Sequence, residues 1–449
     1  MIANMFGRFR HQGTRMAPVD AMWFWLSRKL PSDQFQVYAF EGAADLDAAT
    51  DQILKRAHGC ADFQVRARET ALRVGYPYWA HGKPDPDQVV VHGFPKPSWA
   101  ECLAELGRLM SDHQLDVRRA PWRVHLFPDV LDVPGSPGPS TVAVLQISHI
   151  LADGVRSSAM AGYLFGRDAA PPQPVPRKRV SILRAALTAR RLRRELERDI
   201  AEGAVPEPRA LVAPLSTNNQ PSGPQHLRTL VRRRSELPAN ASVTVGLLAA
   251  MSEALSGYLT ARGEDVSELA VALPVSKPGE RYANNAFDYV AVGLYPEATL
   301  EERLSLIEAE LTTRRGARLH PAHAATERLF DAVPAPLRRL GVAIFNIDKR
   351  PSSMMAHTIL SSVNRGAADL SLAGRPVILT SGYPAQIPIC GLTHGAHGIG
   401  DTVAISVYSA ESAMADIDEY VDRLDAALGP AKRQPAEANA PRAPRARQG

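Results

Sequence analysis

The sequence predicts an α/β protein that is divided into two mixed halves. Its 449 residues are enough for two domains with substantial cores. Each half alternates short runs of apolar, β-branched residues with longer segments that have helical periodicity. A Pro-rich and then basic stretch over residues 169–224 separates the halves. These observations indicate one α/β unit over residues 16–168 and a second over residues 225–430.

Both halves contain strands and helices in close succession. In the first half, short apolar runs predict strands over residues 35–40, 124–127 and 141–147, and helical periodicity covers residues 46–57 and 99–114. In the second half, the same periodicity covers residues 243–261 and 300–314. We therefore expect mixed sheets flanked by helices.

The two ends of the chain differ from the body in composition. Residues 1–15 precede the first patterned segment, and we expect a flexible extension there. Residues 431–449 carry five cations and one acid among Ala and Pro, which predicts a disordered basic tail. That tail supplies +4 of the net charge of +5, so the body is nearly neutral. The basic pI of the chain therefore does not indicate nucleic-acid binding.

Composition also bears on the cellular compartment. Three widely spaced cysteines fit a reducing cytosol and no disulfide framework. No apolar run approaches the ~18 residues of a spanning helix, and the N-terminal stretch does not have the pattern of a signal peptide. We expect a cytoplasmic chain that is able to contact the inner face of a membrane or a lipid droplet.

The most informative motif follows the predicted strand over residues 141–147. His149 stands where that strand ends, and Asp153 and Gly154 follow it. A histidine accepts a hydroxyl proton near neutral pH, a carboxylate can hold the loop, and glycine lets a ligand approach the backbone. The pattern H-x-x-x-D-G indicates base-assisted acyl transfer. A core histidine beside a turn aspartate is the alternative interpretation of so short a motif.

Further motifs stand in a fixed order around this one. Residues 16–24 contain Asp20 in a segment like S-P-x-D-x-x-F, and residues 120–126 contain Trp122 in a segment like P-L-W-x-x-H-L. Residues 148–154 are similar to H-H-x-x-x-D-G, and residues 272–285 are similar to V-P-V-S…G-N, ending in Asn284 and Asn285. Together with the closing segment over residues 398–408, they resemble the bacterial wax ester synthase/diacylglycerol acyltransferase family.

The resemblance implies an architecture and an activity. The architecture is that of two-domain coenzyme-A-dependent acyltransferases of the chloramphenicol acetyltransferase type. The activity is transfer of a fatty acyl group from acyl-CoA to diacylglycerol or a long-chain alcohol, which makes triacylglycerol or a wax ester. Acyl-CoA and a lipid alcohol would be the partners, and no cofactor beyond the acyl-CoA substrate is expected.

The same resemblance assigns roles to residues. His149 would be the catalytic base, and Asp153 would hold the loop through an unidentified arginine. Gly154 would let the thioester arm pass close to the backbone. Asn284 and Asn285 are candidate hydrogen-bond donors to the anionic intermediate. Trp122 would lie under the site.

Three departures from the family motifs keep alternatives open. Ser148 replaces the first histidine, Thr244-Val245 replaces an N-D pair, and residues 362–366 read Ser-Val-Asn-Arg-Gly in place of N-V-P-G-P. One alternative is an acyltransferase of the same fold with another acceptor. The other is a relative that binds acyl chains without turnover.

Two further segments carry weaker predictions. Residues 180–200 have an apolar stripe and an arginine-rich face, which fits either a helix lying on anionic lipid or a helix packed on its own protein. Residues 391–401 are rich in glycine and precede the predicted strand over residues 402–408, and the family resemblance implies that they form the loop lining the substrate tunnel. His394 and His397 would either face the substrate or be ordinary polar residues of that loop. No third ligand accompanies His149 and Asp153, so no metal site is expected.

Overall fold

The structure, a computed structural model, describes residues 13–238 and 240–429. Its strands are β1 Gly13–Arg15, β2 Asp33–Glu41, β3 Val65–Arg68, β4 Tyr78–His81, β5 Val89–Val91, β6 Trp122–Val130, β7 Ser140–Ser148, β8 Gln225–Arg233, β9 Ala270–Ser276, β10 Phe287–Gly293, β11 Thr358–Asn364, β12 Ser371–Leu372, β13 Arg375–Tyr383, β14 Leu392–Ile399 and β15 Thr402–Ala410. Its helices are α1 Pro18–Leu26, α2 Leu46–His58, α3 Trp99–Asp112, α4 Gly154–Leu164, α5 Ile182–Ala201, α6 Val243–Thr260, α7 Leu300–Ala317, α8 Pro321–Ala332, α9 Ala335–Ile344 and α10 Ile417–Ala427.

Two six-stranded mixed sheets carry the fold. The N-terminal sheet has the strand order β12-β13-β2-β7-β6-β5, and the C-terminal sheet has the order β10-β9-β11-β14-β15-β8. A third, three-stranded sheet has the order β1-β4-β3. The predicted α/β class with mixed sheets flanked by helices is confirmed.

Helix boundaries follow from capping residues in the sequence. Asp45 accepts the Asp47 and Ala48 N–H groups at the start of α2. Ser98 with Glu101 caps α3, and Thr299 with Glu302 caps α7 in the same reciprocal way. These caps satisfy N–H groups that have no partner inside the helix, and they explain why the helices predicted by periodicity begin where they do.

Apolar side chains cover both faces of the N-terminal sheet. On one face, Leu145 and Ile147 of β7 pack in a cluster with Ile53 of α2 and with Met160 and Leu164 of α4. On the other face, Val142 and Val144 of β7 pack with α3, and this cluster also includes Leu227 of β8 and Tyr408 of β15. The second cluster therefore joins the two sheets. Strand β7, an interior strand of the N-terminal sheet, is buried on both faces.

The predicted boundary between the halves is wrong at one place. The predicted limits place residues 371–383 in the second half. In the structure, β13 pairs with β2 of the N-terminal sheet, along the register Val377↔Phe40 to Tyr383↔Phe35. A strand from the second half thus forms part of the first sheet. Sequence periodicity reports whether a segment is a strand, and it carries no information on which edge the strand pairs with.

The expected flexible extension over residues 1–15 is also too long. Gly13–Arg15 forms β1, whose register with β4 runs from Gly13↔Ala80 to Arg15↔Tyr78. Pairing with the β4 edge satisfies backbone groups that the isolated segment would leave to water. Residues 1–12 and the predicted tail over residues 431–449 lie outside the described residues.

The connector over residues 169–224 contains the predicted basic helix. In α5, Ala185 and Ala189 are buried, and the helix packs along α8. His320, which precedes α8, lies 3.1 Å from Asp199 of α5. The apolar stripe therefore packs on the protein itself, which is the second of the two interpretations given above.

One helix corrects the statement that no apolar run is long enough to span a membrane. The 18 residues of α6 have a mean hydropathy of 1.2, which meets that length and composition. Residues such as Leu247, Leu255 and Leu259 are buried in the core against α7, α10 and the C-terminal sheet, and 67% of the helix is buried. In this fold α6 is a core helix.

Candidate active site

His149 lies directly after β7, at the junction of the two halves. Its backbone N–H donates to the Ser32 carbonyl at 3.1 Å, which fixes the turn out of the strand. The imidazole is stacked on the Trp23 ring of α1 with centroids 4.4 Å apart, and the Phe287 ring lies 5.5 Å away. The ring is therefore held in one plane by aromatic neighbours from two other elements.

The tautomer of His149 follows from its hydrogen bonds. Nδ1 lies 2.6 Å from Oδ1 of Asn285. The Asn285 side-chain NH2 donates both of its hydrogens, to the His149 carbonyl at 2.7 Å and to an Asp20 oxygen at 2.9 Å. Because both partners are acceptors, Oδ1 must face the ring and Nδ1 must carry the proton. Nε2, which hydrogen bonds to no described group, then has its lone pair available.

Asp20 anchors this chain of contacts from α1. Its two oxygens accept the backbone N–H groups of Asn284 at 2.9 Å and Asn285 at 3.0 Å, in addition to the Asn285 side chain. Three donors favour the ionised carboxylate. Burial nevertheless raises the pKa of Asp20 to about 7, because desolvation outweighs these hydrogen bonds and the nearby Arg156. Asp20 therefore titrates close to neutral pH.

The electrostatics keep His149 neutral. Burial lowers the pKa of His149 below its usual value near 6.5, and the opposing influences of Asn285 and Asp153 are smaller. A neutral imidazole with a protonated Nδ1 and a free Nε2 is the form that accepts a proton.

Asp153 holds the loop, and the structure identifies its arginine partner as Arg281. Arg281 donates to Oδ2 at 2.8 Å and to Oδ1 at 3.3 Å. The same carboxylate caps α4 by accepting the Arg156 N–H at 2.9 Å, and it accepts the Ala286 N–H at 2.9 Å. Asp153 therefore joins the H-x-x-x-D-G loop to the loop that carries Asn285.

The other predicted site residues divide into two groups. Asn284 and Asn285 are both brought to His149, but the NH2 hydrogens of Asn285 are already used, so it positions the base and does not donate to an oxyanion. Gly154 begins α4 directly after Asp153, and a Cβ there would meet only Val363 at 3.7 Å, so the backbone is open to approach at this position. Trp122 lies under the site loop: its ring is fully buried in the cluster that contains Leu151 and Ala152, and its indole N–H donates to Phe63 O at 2.9 Å. Tight core packing explains that tryptophan.

Several residues of the site were not predicted as such. Asp20 and Trp23 belong to the opening motif, yet nothing in the sequence indicates that α1 packs against His149. Arg281 precedes Asn284 by three residues, and its single local signal is proximity to the predicted asparagine loop.

His394 and His397 do not lie in a loop, because residues 392–399 form β14. His394 is buried between Thr358 and Tyr420, with ring-nitrogen distances of 3.0 and 2.8 Å.

The altered family motifs meet in space. The Thr244 hydroxyl of α6 lies 2.8 Å from the Ser362 hydroxyl of β11, so the two departures form one hydrogen-bonded pair. Three residues after Ser362, Arg365 is buried, donates to the Thr380 hydroxyl and lies with its guanidinium 4.9 Å from the Tyr38 ring centroid. An arginine thus enters the core where the family motif has a glycine.

A cleft of about 1820 Å³ opens beside the site. Asp20 and Asn285 line it, as do residues 174–180 of the connector, whereas His149 is not one of its lining residues. Its lining is rich in cations, and Lys178, Arg179 and Arg328 form no salt bridge with any described residue. Within residues 13–238 and 240–429, no group of three or more His, Cys, Asp or Glu is placed to hold a metal ion.

Comparison with solved structures places the fold. The wax ester synthase/diacylglycerol acyltransferase from Marinobacter aquaeolei VT8 matches with a TM-score of 0.59 at 16% identity, over 92% of this chain and 98% of that one. The trichothecene 15-O-acetyltransferase from Fusarium sporotrichioides matches with a TM-score of 0.58 at 11% identity, over 92% and 94%. These similarities confirm the two-domain acyltransferase architecture.

A third match is a condensation domain. The starter condensation domain of rhizomide synthetase in complex with C8-CoA has a TM-score of 0.57 at 12% identity, over 95% of this chain and 98% of that one. A search of curated proteins finds no match.

The family is shown by the sequence itself. Residues 30–285, more than half of the chain, match the wax ester synthase/diacylglycerol acyltransferase catalytic domain. That segment contains His149, Asp153, Arg281 and Asn285. The chain therefore belongs to the wax ester synthase/diacylglycerol acyltransferase family.

Proposed function

We propose that the protein transfers a fatty acyl group from acyl-CoA to a lipid alcohol, with His149 as the general base. The observation that carries the proposal is the tautomer lock on His149, which presents a free Nε2 lone pair on a neutral ring. The buried core residue His394, by contrast, uses both ring nitrogens in hydrogen bonds.

The reaction follows from that geometry. Nε2 accepts the hydroxyl proton of the alcohol while its oxygen attacks the thioester carbonyl carbon. The tetrahedral anion then collapses, the C–S bond breaks, and the imidazolium returns the proton to the departing thiolate. Asn285 Oδ1 accepts from the Nδ1–H throughout, and the ionised Asp20 behind it stabilises the transient positive charge.

The cleft is suited to the acyl-CoA donor. Its unpaired cations Lys178, Arg179 and Arg328 match the phosphates of coenzyme A. Burial and, to a lesser degree, repulsion from the neighbouring Arg179 lower the pKa of Arg15, which supports an anion site at this pair. A phosphate between Arg15 and Arg179 would relieve that repulsion, and the cleft leads inward to Asn285.

The acceptor is proposed from the family. Diacylglycerol and long-chain alcohols are the acceptors that the family name implies, so triacylglycerol or a wax ester would be the product. Such substrates reside in lipid, which favours a cytoplasmic protein that contacts a membrane surface. A second candidate is the same transfer to a different, more polar acceptor. It is favoured by two changes to the family motifs. Thr244 and Ser362, which are hydrogen-bonded to each other, stand where the motifs have asparagines, and the buried Arg365 stands where the motif has a glycine.

Release of free thiol from palmitoyl-CoA tests the proposal. Parent protein, His149→Ala and the control His81→Ala, an exposed histidine of β4, are each supplied with diacylglycerol, hexadecanol or no acceptor. We expect acceptor-dependent release by the parent and the control, and a loss of about 10²–10⁴-fold in His149→Ala. Equal rates in His149→Ala and parent would remove His149 from the mechanism. If the parent binds acyl-CoA but releases no thiol with either diacylglycerol or hexadecanol, the second candidate or a non-catalytic relative is favoured.

A further inference from the structure

The outward surface of α9 is apolar. Ala335 and Val342 face the core, whereas Leu337, Leu340, Ile344 and the following Phe345 are exposed by 59%, 57%, 73% and 58%. A helix on the surface of a soluble protein normally presents polar residues outward. This one presents a continuous apolar stripe, which marks an interaction site.

A neighbouring loop extends this stripe. The segment between β3 and β4 exposes Leu72 by 82% and Val74 by 63%. Tyr76 ties it to the α8–α9 region, because its hydroxyl donates to the Val333 carbonyl at 2.7 Å and accepts from Arg338 of α9 at 3.0 Å. We call the exposed apolar residues of α9 and this loop the apolar face.

Cations surround Glu69, beside the apolar face. Four arginines lie within 4 Å of this single carboxylate, at 3.1, 3.7, 3.4 and 3.6 Å: Arg28, Arg73, Arg118 and Arg339. Of these, Arg118 also lies 4.0 Å from Asp116. Lys29 adds a fifth cation at the C-terminal carbonyls of α9. The cations around Glu69, together with Lys29, therefore give the border of the apolar face a net positive charge, because the acids beside them are fewer.

We infer that the apolar face docks on an anionic lipid surface. Leucine, isoleucine and phenylalanine would enter the boundary between headgroups and acyl chains, while the Glu69 arginines would contact lipid phosphates. A second copy of the chain fits less well. A two-fold interface pairs a patch with itself, so both subunits would bring the same positive charge to the interface and neither would bring an acidic patch to oppose it.

The position of the face gives the docking a purpose. Val74, Tyr76 and residues 334–336 line the same cleft as Asp20 and Asn285. The mouth of the cleft thus opens at the edge of the apolar face. The inference rests on the proposed function for this purpose, since a lipid alcohol would pass from the bilayer into the cleft, but the binding test does not require turnover.

Vesicle flotation of the full chain tests the inference. We expect binding to vesicles that contain phosphatidylglycerol, at least about 10-fold weaker binding by Leu340→Ser/Ile344→Ser, and about 3- to 5-fold weaker binding by Arg73→Ala. The matched control is Leu187→Ser on the basic helix α5, where Leu187 is 70% exposed. Parent and control should bind alike. Loss of binding in Leu187→Ser with retention in the α9 variant would transfer the role to α5 and overturn the inference.

Thiol labelling identifies the occupant. Leu340→Cys should react quickly with a maleimide in the full chain alone and be protected by anionic vesicles. Protection without vesicles would mean that a second copy or another segment of the chain covers the face, and it would contradict the inference. Thiol release with a short-chain acyl-CoA and a water-soluble alcohol separates this failure from failure of the proposed function. The α9 variants should keep that activity, whereas a non-catalytic protein would show none in any variant and could still bind vesicles.

Discussion

At the residue scale, the site depends on a line of three side chains from three segments. Asp20 orients the amide of Asn285, and Asn285 sets the tautomer of His149. Only the last member would touch a reacting atom, so Asp20 acts as a positioning residue. Its charge state is sensitive to pH because burial raises its pKa to about 7.

The pH dependence of turnover should therefore be governed by Asp20. Above about pH 7 the carboxylate is ionised and accepts from Asn285; protonation below that pH removes an acceptor and should lower kcat. The pKa of His149 lies below its usual value, so the base is still neutral in this range. We expect Asp20→Asn to reduce kcat roughly 10²-fold, with the KM for acyl-CoA little changed. Because asparagine does not titrate, its pH profile should stay flat where that of the parent falls. An identical acid limb in both proteins would assign it to another group.

Asp153 should matter for stability as well as for activity. Asp153→Asn weakens a buried ion pair with Arg281, and we expect the free energy of unfolding in urea to fall by about 3 kcal/mol together with activity. Asp168→Asn is the control, since Asp168 is 99% exposed at 3.4 Å from Arg56 and should change stability by less than about 0.5 kcal/mol. Lost activity with unchanged unfolding would instead indicate direct participation of Asp153 in the chemistry.

The part of this site that is contiguous in sequence can be predicted from local pattern, and the contacts between residues far apart in sequence cannot. His149, Asp153 and Gly154 form a short contiguous motif at a strand end, and such patterns are readable. Asp20 meets Asn285 across 265 positions of sequence, and Asp153 meets Arg281 across 128. Those pairings depend on the packing of α1 and of the 276–286 loop, which no local pattern encodes.

At the scale of elements, the loop predicted over residues 391–401 is wrong because of the glycines in that segment. Residues 391–401 resemble a loop because glycine is poor in strands. In the fold, Leu392–Ile399 of this segment form β14, which runs close to β13. A Cβ at Gly395 would lie 2.5 Å from the Gly382 carbonyl oxygen and 2.4 Å from the Ser406 hydroxyl, so only glycine allows this approach. Strands such as β2 and β7, whose apolar runs are continuous, were predicted correctly.

This close approach leads to a test by substitution. Gly395→Ala should lower the free energy of unfolding by about 2–3 kcal/mol, because the neighbouring backbone cannot move away from the added methyl group. Gly316→Ala in α7 is the matched control: its Cβ would meet nothing within 4 Å, and alanine favours helix by up to about 1 kcal/mol. Chemical denaturation of both variants measures the difference. A tolerated Gly395→Ala would show that β13 and β14 can separate.

At the scale of the whole molecule, the two halves are interleaved. The chain returns from the second half to pair β13 with β2, and one apolar cluster contains residues of both sheets. Composition and periodicity predicted two α/β units and their approximate limits, but the exchange of a strand between them has no signature in local sequence.

Interleaving should make unfolding cooperative. We expect a single calorimetric transition for the full chain, because separating the halves would strip β2 of a partner and open the shared apolar cluster. Residues 16–224 produced alone should fail to give a cooperative transition. Two resolved transitions in the full chain, or a stable isolated first half, would contradict this expectation.

The exchanged strand also has a consequence for biosynthesis. A ribosome releases the β2 edge long before it has made Tyr383, the last residue of β13. At about 5–20 residues per second, that edge waits roughly 17–70 s for its partner. During this interval the β2 edge of the nascent chain presents unpaired N–H and C=O groups beside apolar residues that are buried in the folded protein. Such an edge can pair with strands of neighbouring nascent chains. Chaperone capture of the nascent first half should therefore determine the yield of folded protein more than the stability of the finished fold does.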